Sequence, residues 1–274
     1  MQQISKMLHK EGKIIGFVPT MGYLHEGHAA LISRSKKSSD ITIVSVFVNP
    51  TQFGPSEDFN KYPRDQKGDI RLLNEMKVDY LFMPSNNEIY SDDFQTYVNV
   101  EKVTQILEGE FRPAHFKGVT TIVSILFNII KPDIAVFGQK DAQQAFIIKK
   151  MVEDLKFNIR IIVIPIVREK DGLALSSRNI YLSESERQDA LVLIHSLLYA
   201  RKVISNDERK VLKILSGMKR IIDRVDSADL DYISIADALT FLPVKELTKG
   251  KKYFVLIACR IGKTRLIDNI LVKS

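Results

Sequence analysis

A single cysteine, Cys259, stands among 274 residues. One thiol cannot build an internal disulfide framework, so packing must hold this fold, and such usage fits a reducing compartment. Cys259 lies inside an apolar run and reads as a packed core thiol, not a reactive one. Long hydrophobic stretches are also missing. The longest, around Ile122 to Ile130, is interrupted by Ser124 and Asn128, well short of the roughly 20 apolar residues of a membrane helix. Met1 to Met7 carry neither the apolar core of a secretory signal nor the Arg-rich pattern of a transit peptide. The expectation is a cytoplasmic protein with no membrane partner. No internal repeat and no low-complexity segment interrupts the chain.

Histidine is sparse, with five in all. His25 and His28 could supply half of a zinc site, but His9, His115 and His195 fall in separate contexts, so no resident metal site is expected. The chain has 40 basic and 33 acidic residues, a formal charge of +7. Its densest basic groups (Lys36-Lys37, Lys149-Lys150, Lys249-Gly250-Lys251-Lys252) lack the interleaved aromatics of a single-strand nucleic-acid platform. A surface that attracts small anions is the better reading, with no nucleic acid as partner. Two motif lookalikes fail. Gly262-Lys263-Thr264 lacks the first glycine of a P-loop because position 257 is Ile, and Pro50 blocks glycosylation at Asn49-Pro50-Thr51.

What the chain does have is 45% hydrophobic and 27% charged residues, the balance of a soluble globular protein of one large or two modest domains. It is organised around Val18-Pro19-Thr20-Met21-Gly22-Tyr23-Leu24-His25-Glu26-Gly27-His28. The apolar run Ile14 to Val18 feeds this stretch as a buried parallel strand, and Ala29 to Ser35 leaves it as an amphipathic helix. Further strands are expected at 41–48, 80–83, 133–137 and 159–164, with an edge strand at 96–100. Helices are expected at 2–11, 65–77, 116–130 and 141–154. This alternation predicts an α/β fold, a doubly wound parallel sheet of Rossmann-like type. Beyond residue 170 the pattern changes to helices at 183–204 and 207–225, then alternating runs near 230–236, 253–261 and 264–268. Those suit a smaller α+β domain with a short antiparallel sheet, giving domains 1–170 and 171–274.

In open parallel sheets ligands bind beyond the carboxyl ends of the strands. The strand ends deliver Met21 to His28, then Asn49 and Gln52, then Gly138-Gln139-Lys140-Asp141 with Gln143 and Gln144 behind them. The last gives Val167, before the Leu175-Ser176-Ser177-Arg178 loop. Helix-end N–H groups, two imidazoles, an ammonium, a guanidinium and hydroxyls suit a nucleoside triphosphate and the charge that develops on it. Uncharged amides suit a hydroxylated second substrate. No nucleophile elbow and no Ser–His–Asp order is present, so positioning and charge stabilisation are the simpler chemistry.

The chain resembles the pantoate–β-alanine ligase family over nearly its whole length. The resemblance is carried by Val18-Pro19-Thr20-Met21-Gly22 with His25-Glu26-Gly27-His28, by Phe47-Val48-Asn49-Pro50 with Gln52-Phe53, and by Tyr62-Pro63-Arg64. Arg112-Pro113-Ala114-His115-Phe116-Lys117-Gly118-Val119, Phe137 to Gln144, Asp171 to Asn179 and Arg265 to Asn269 complete it. His-x-Gly-His alone is shared with nucleotidylyltransferases and class I aminoacyl-tRNA synthetases. The resemblance implies Mg²⁺-dependent, ATP-driven joining of pantoate to β-alanine through pantoyl adenylate, with release of pyrophosphate and AMP. It implies ATP contacts from Met21, Gly22, Tyr23, Leu24, His25, Glu26, Gly27 and His28, from Gly138, Gln139, Lys140 and Asp141, and from Val167, Leu175, Ser176, Ser177 and Arg178. His28, His25, Lys140 and Arg178 would be catalytic. Gln52 and Gln144 would hold pantoate, Gln52 also β-alanine, with Asn49 and Arg112 nearby. Residues 1–170 would bind ATP and pantoate, 171–274 would act as a lid, and the assembly would be a homodimer. Gln139, Ala142 and Leu175 depart from common family residues and bear on nucleotide affinity. The alternatives are a nucleotidylyltransferase of the same motif and a non-catalytic nucleotide- or RNA-binding module, the latter motivated by the basic charge.

Overall fold

Five apolar segments pair side by side in the computed structural model, which describes residues 1–55 and 57–274. They are Ile15–Thr20 (β1), Ile41–Val46 (β2), Tyr80–Phe82 (β3), Ile134–Gly138 (β4) and Arg160–Ile164 (β5). All pair in parallel, in the order β3-β2-β1-β4-β5. Crossovers between parallel strands need helices, and the intervening sequence supplies them. They are Glu26–Lys36 (α2), Gln66–Glu75 (α3), Asn86–Ile89 (α4), Glu108–Phe111 (α5), His115–Ile130 (α6) and Ala142–Asp154 (α7), while Gln2–Lys10 (α1) precedes the first strand.

The strands read as continuous apolar runs because both of their faces are covered. Ile15, Phe17, Ile43, Ala135 and Phe137 point to one side, where they meet Leu8 of α1, Ile122 and Phe127 of α6, and Ile148 and Met151 of α7. Val18, Val44, Ile134 and Val136 point to the other, against Leu31 and Ile32 of α2 and Leu73 of α3. Helices on both faces make this the doubly wound sheet that the alternation predicts. Truncating a side chain as deeply set as Phe127, 1% exposed, would cost about 3–5 kcal/mol.

The remainder is α+β. Glu184–Asp189 (α8), Leu191–Ser205 (α9) and Val211–Ile222 (α10) precede Ala228–Asp237 (β6), Lys252–Ile261 (β7) and Thr264–Lys273 (β8). These strands form an antiparallel sheet of order β6-β7-β8. Its inner face (Ile235, Val255, Ile257, Cys259, Leu266, Ile270) packs on Leu193 and Leu197 of α9 and Ile214 and Met218 of α10. The chain divides into two compact units, 1–139 with 144–165, and 140–143 with 166–274. Among the described residues no helix is long and apolar enough to cross a membrane.

Two expectations need correction. Residues 96–100 form no strand. Val98 and Val100 do turn inward, but the Val98 N–H donates to Thr121 Oγ1 at 3.0 Å and its carbonyl accepts from Thr120 Oγ1 at 2.6 Å, so hydroxyls of α6 replace a strand ladder. The helix expected at 183–204 breaks at the fully buried Ala190 into α8 and α9, where Ser227 donates to Asp189 Oδ2 at 2.6 Å.

Candidate active site

The parallel order turns over between β1 and β4, neighbours in the sheet whose following connections leave on opposite sides. Ligand sites of open α/β sheets form beyond such a point. The β1 end turns sharply through Gly22 and Tyr23, both with positive φ (79° and 51°). Thr20 Oγ1 donates to the Ser45 carbonyl at 2.7 Å and accepts the Gly22 N–H at 3.2 Å, which fixes the start of the turn. Asp69 of α3 fixes its far side, accepting the N–H groups of Tyr23 at 3.0 Å and Leu24 at 2.6 Å. Burial pushes the Asp69 carboxyl above its usual range, and the two N–H donors work against that rise.

His25 then caps α2 with its ring. Its Nδ1 accepts the Gly27 N–H at 3.1 Å, and His28 Nδ1 accepts the His25 N–H at 3.3 Å, a reciprocal cap. The rings lie 4.2 Å apart. A nitrogen that accepts a hydrogen bond carries no proton, so each neutral ring has its hydrogen on Nε2. The helix end therefore carries two imidazole N–H donors together with its own positive dipole. Glu26 is exposed in the first turn, Met21 half-buried.

After β2 the chain forms a short 3-10 turn at Pro50–Gln52 that carries the buried amides. Asn49 Nδ2 donates to Gln52 Oε1 at 3.2 Å and to the Gly118 carbonyl at 3.1 Å, while Tyr90 OH donates to Asn49 Oδ1 at 2.7 Å. Gln52 Nε2 donates to Met21 Sδ at 3.0 Å, so the structure brings Gln52 against the β1 turn. Its backbone carbonyl accepts from His115 Nδ1 at 3.0 Å and Arg112 Nη2 at 3.5 Å. Arg112 is already committed to Glu57 through a paired contact at 2.8 and 2.6 Å and to Glu108 at 3.5 Å. Its other end meets His115 Nε2 at 3.3 Å, and burial with Arg112 lowers the His115 pKa to about 4. Gly138 and Gln139 follow at the end of β4, and Gln144 sits half-buried in the first turn of α7.

The other predicted residues belong to the second unit. Lys140 pairs with Asp141 at 3.7 Å, and its carbonyl accepts Asn269 Nδ2 at 3.0 Å. Arg168 holds the buried Asp268 through contacts of 2.7 and 2.8 Å and also reaches the carbonyls of Gly172 and Asn269. Burial raises the Asp268 pKa; Arg168 opposes that rise. The Val167 carbonyl accepts the Leu175 N–H at 3.1 Å, which closes the 167–175 loop. Ser176 caps the 3-10 turn Ser177–Tyr181, its Oγ accepting the Arg178 N–H at 3.3 Å, and that turn packs on β8. Lys140, Val167 and Leu175 to Arg178 thus belong to one unit, in which the Lys140 carbonyl and the Ser177–Tyr181 turn meet β8.

Asp69, Glu57, Glu108 and Tyr90 escaped the sequence reading. Asp69 lies 45 and 46 positions from its two donors, and nothing in its local pattern marks it. His115, Arg112 and their shared partner Gln52 were visible as motif residues, but the carboxylates Glu57 and Glu108 that hold Arg112 were not.

A histidine-capped helix at the switch point of a parallel sheet places N–H donors where α/β proteins hold phosphate-bearing ligands, and the class is that of a doubly wound α/β protein with such a site. The sequence comparisons narrow this further. A profile described as pantoate-beta-alanine ligase matches residues 1–271. A pantothenate synthetase of Caldicellulosiruptor saccharolyticus is 52% identical over 100% of this chain and 96% of its own length. A pantothenate synthetase structure from Thermus thermophilus superposes with a TM-score of 0.89 at 44% identity, covering 93% of this chain and 92% of that one. The ligase of Francisella tularensis, complexed with beta-gamma ATP and beta-alanine, does so with a TM-score of 0.80 at 36% identity, covering 98% and 94%. The chain belongs to the pantoate-beta-alanine ligase family.

Proposed function

We propose that this enzyme joins pantoate to β-alanine in two steps driven by ATP. A carboxylate is a poor electrophile, so the acid needs a leaving group before an amine can attack it. In the first step a pantoate carboxylate oxygen attacks the α-phosphorus, the bond to the bridging oxygen breaks, and pyrophosphate leaves with its electron pair. In the second the neutral amine of β-alanine attacks the acyl carbon of pantoyl adenylate, AMP departs, and the nitrogen loses a proton.

The observation that carries this reading is the reciprocal cap of His25 and His28, which leaves both rings as Nε2–H donors at the amino end of α2. Donors already fixed there stabilise charge growing on phosphate oxygens with little reorganisation. His28 would give a hydrogen bond or proton to those oxygens during adenylation, with His25 beside it. Met21 to His28, Gly138 to Asp141, Val167 and Leu175 to Arg178 would contact the nucleotide, with Lys140 and Arg178 opposing its charge. Gln52 and Gln144 would hold pantoate, and Gln52 would also meet β-alanine. Among the described residues no group of three His, Cys, Asp or Glu could hold a metal ion. Mg²⁺, implied by the family resemblance, would accompany ATP and offset the charge of its phosphates when bound, and no step is routed through it. A homodimer in the cytoplasm is proposed on the family resemblance.

Pantoate-dependent exchange of labelled pyrophosphate into ATP, without β-alanine, tests the first step. The wild-type chain should exchange, and His28→Ala should lower the rate at least about 100-fold, the scale of a lost charge-stabilising donor. Exchange no faster than in that variant would overturn the proposal. AMP should appear only when an amine is supplied; a product that keeps its AMP would instead indicate a nucleotidylyltransferase.

A further inference from the structure

The geometry points to Asp69 as a positioning residue for the His25–His28 pair; we infer that it acts on adenylation without touching substrate. This rests on the adenylation reading above.

Asp69 is 3% exposed on α3, and its two oxygens divide two successive backbone donors, Oδ2 taking Tyr23 N–H at 3.0 Å and Oδ1 taking Leu24 N–H at 2.6 Å. Successive N–H groups converge on one carboxylate only where the backbone curls. Here Gly22 and Tyr23 both adopt left-handed φ, a conformation that is strained for the non-glycine Tyr23. Charge-assisted bonds to a carboxylate are strong enough to hold that conformation. Gly22 is part of the same device. A Cβ there would lie 2.9 Å from Asp69 Oδ2 and 3.0 Å from Val46 Cγ1, so any side chain would push the carboxylate off its donors.

The link to the imidazoles is covalent and immediate. Leu24, held through its N–H, adjoins His25, whose N–H donates to His28 Nδ1 while its ring accepts from Gly27. Asp69 holds the Tyr23–Leu24 peptide, which sets the path of the chain into the next peptide; that peptide's His25 N–H keeps His28 Nδ1 as an acceptor, and the same residue sets where the His25 ring meets the Gly27 N–H. An amide at position 69 could accept only one of the two N–H groups and would set its own NH₂ against the other. Lost curl at Tyr23 would free both rings to exchange tautomers.

The two half-reactions separate this role from general support of the fold. In Asp69→Asn, pyrophosphate exchange should fall about 30- to 100-fold with the KM for pantoate held within about two-fold, the pattern of misplaced groups that act in the transition state. Aminolysis of supplied pantoyl adenylate by β-alanine should stay within about five-fold. Imidazole ¹⁵N shifts should show His25 and His28 as Nε2–H tautomers in the wild type and as mixtures in the variant. Equal losses in both half-reactions, or unchanged exchange and tautomers, would overturn the assignment. Should Asp69→Asn fail to fold, Gly22→Ala presses on the same carboxylate from the turn and must give the same split. A wild-type chain without exchange would sink the adenylation reading, yet the ¹⁵N shifts would still decide whether Asp69 sets the tautomers.

Discussion

His115 shows how a titratable residue can be fixed in one state by its neighbours. Its Nδ1–H is spent on the Gln52 carbonyl and its Nε2 faces the Arg112 guanidinium, an arrangement only the neutral ring satisfies. Burial first, then Arg112, lower its pKa to about 4, against the opposing pull of Glu108 and Glu57. A histidine whose folded pKa is depressed binds fewer protons folded than unfolded between about pH 4 and 6.5. Its contribution is therefore full above pH 6.5 and lost as pH falls towards 4, by about 3 kcal/mol at most. Urea unfolding at several pH values should show that slope in the wild type and a flatter one in His115→Gln. Identical slopes would contradict the account. The sequence marked His115 and Arg112 as motif residues and placed Arg112 near substrate. The structure holds the Arg112 guanidinium on Glu57 and Glu108 and against the Gln52 carbonyl. No residue-level pattern foretells such commitments, because the partners come together only when the sheet forms.

At the scale of elements, the amino end of α6 and the 3-10 turn at 50–52 are pressed together around an absent side chain. A Cβ on Gly118 would sit 2.5 Å from the Thr51 carbonyl carbon and 2.6 Å from Gln52 Cα. Gly118→Ala must displace that turn and with it Asn49 and Gln52, at a cost of about 1–3 kcal/mol. If Gln52 holds pantoate, the KM for pantoate should rise about ten-fold or more with the KM for ATP changed far less. A variant that binds pantoate normally would separate this turn from substrate binding. The parallel strands and their helices were legible because burial on both faces leaves apolar runs of strand length, and one-sided burial leaves helical spacing. The stretch 96–100 misled for a definite reason. Its alternation is real, since Val98 and Val100 pack inward, but period-two burial does not say whether a neighbouring strand or the hydroxyls of Thr120 and Thr121 will satisfy the backbone. The break at Ala190 was equally silent, because an alanine inside a helical pattern gives no stop signal.

Across the whole molecule, the chain carries separate apolar cores, and the second unit's is closed over its own sheet. Tyr253, Val255, Ile257 and Cys259 of β7 are 2% exposed or less, between α9 with α10 on one side and neighbouring strands along their edges. Burial, aided by Asp231 and Asp229, pushes the Cys259 thiol up to about 12, so it should react only when this core opens. Residues 166–274 produced alone lack only 140–143 of their unit, and Asn269 loses its bond to the Lys140 carbonyl. One neutral hydrogen bond is worth about 1 kcal/mol, small beside a core in which truncating one large buried aliphatic side chain costs about 2–5 kcal/mol. The fragment should therefore melt in one cooperative transition by near-ultraviolet circular dichroism, with Cys259 inert to a thiol reagent until that transition begins. Immediate labelling at room temperature, or a gradual melt with no folded baseline, would mean that the β6-β7-β8 sheet and its helices need the rest of the chain to pack.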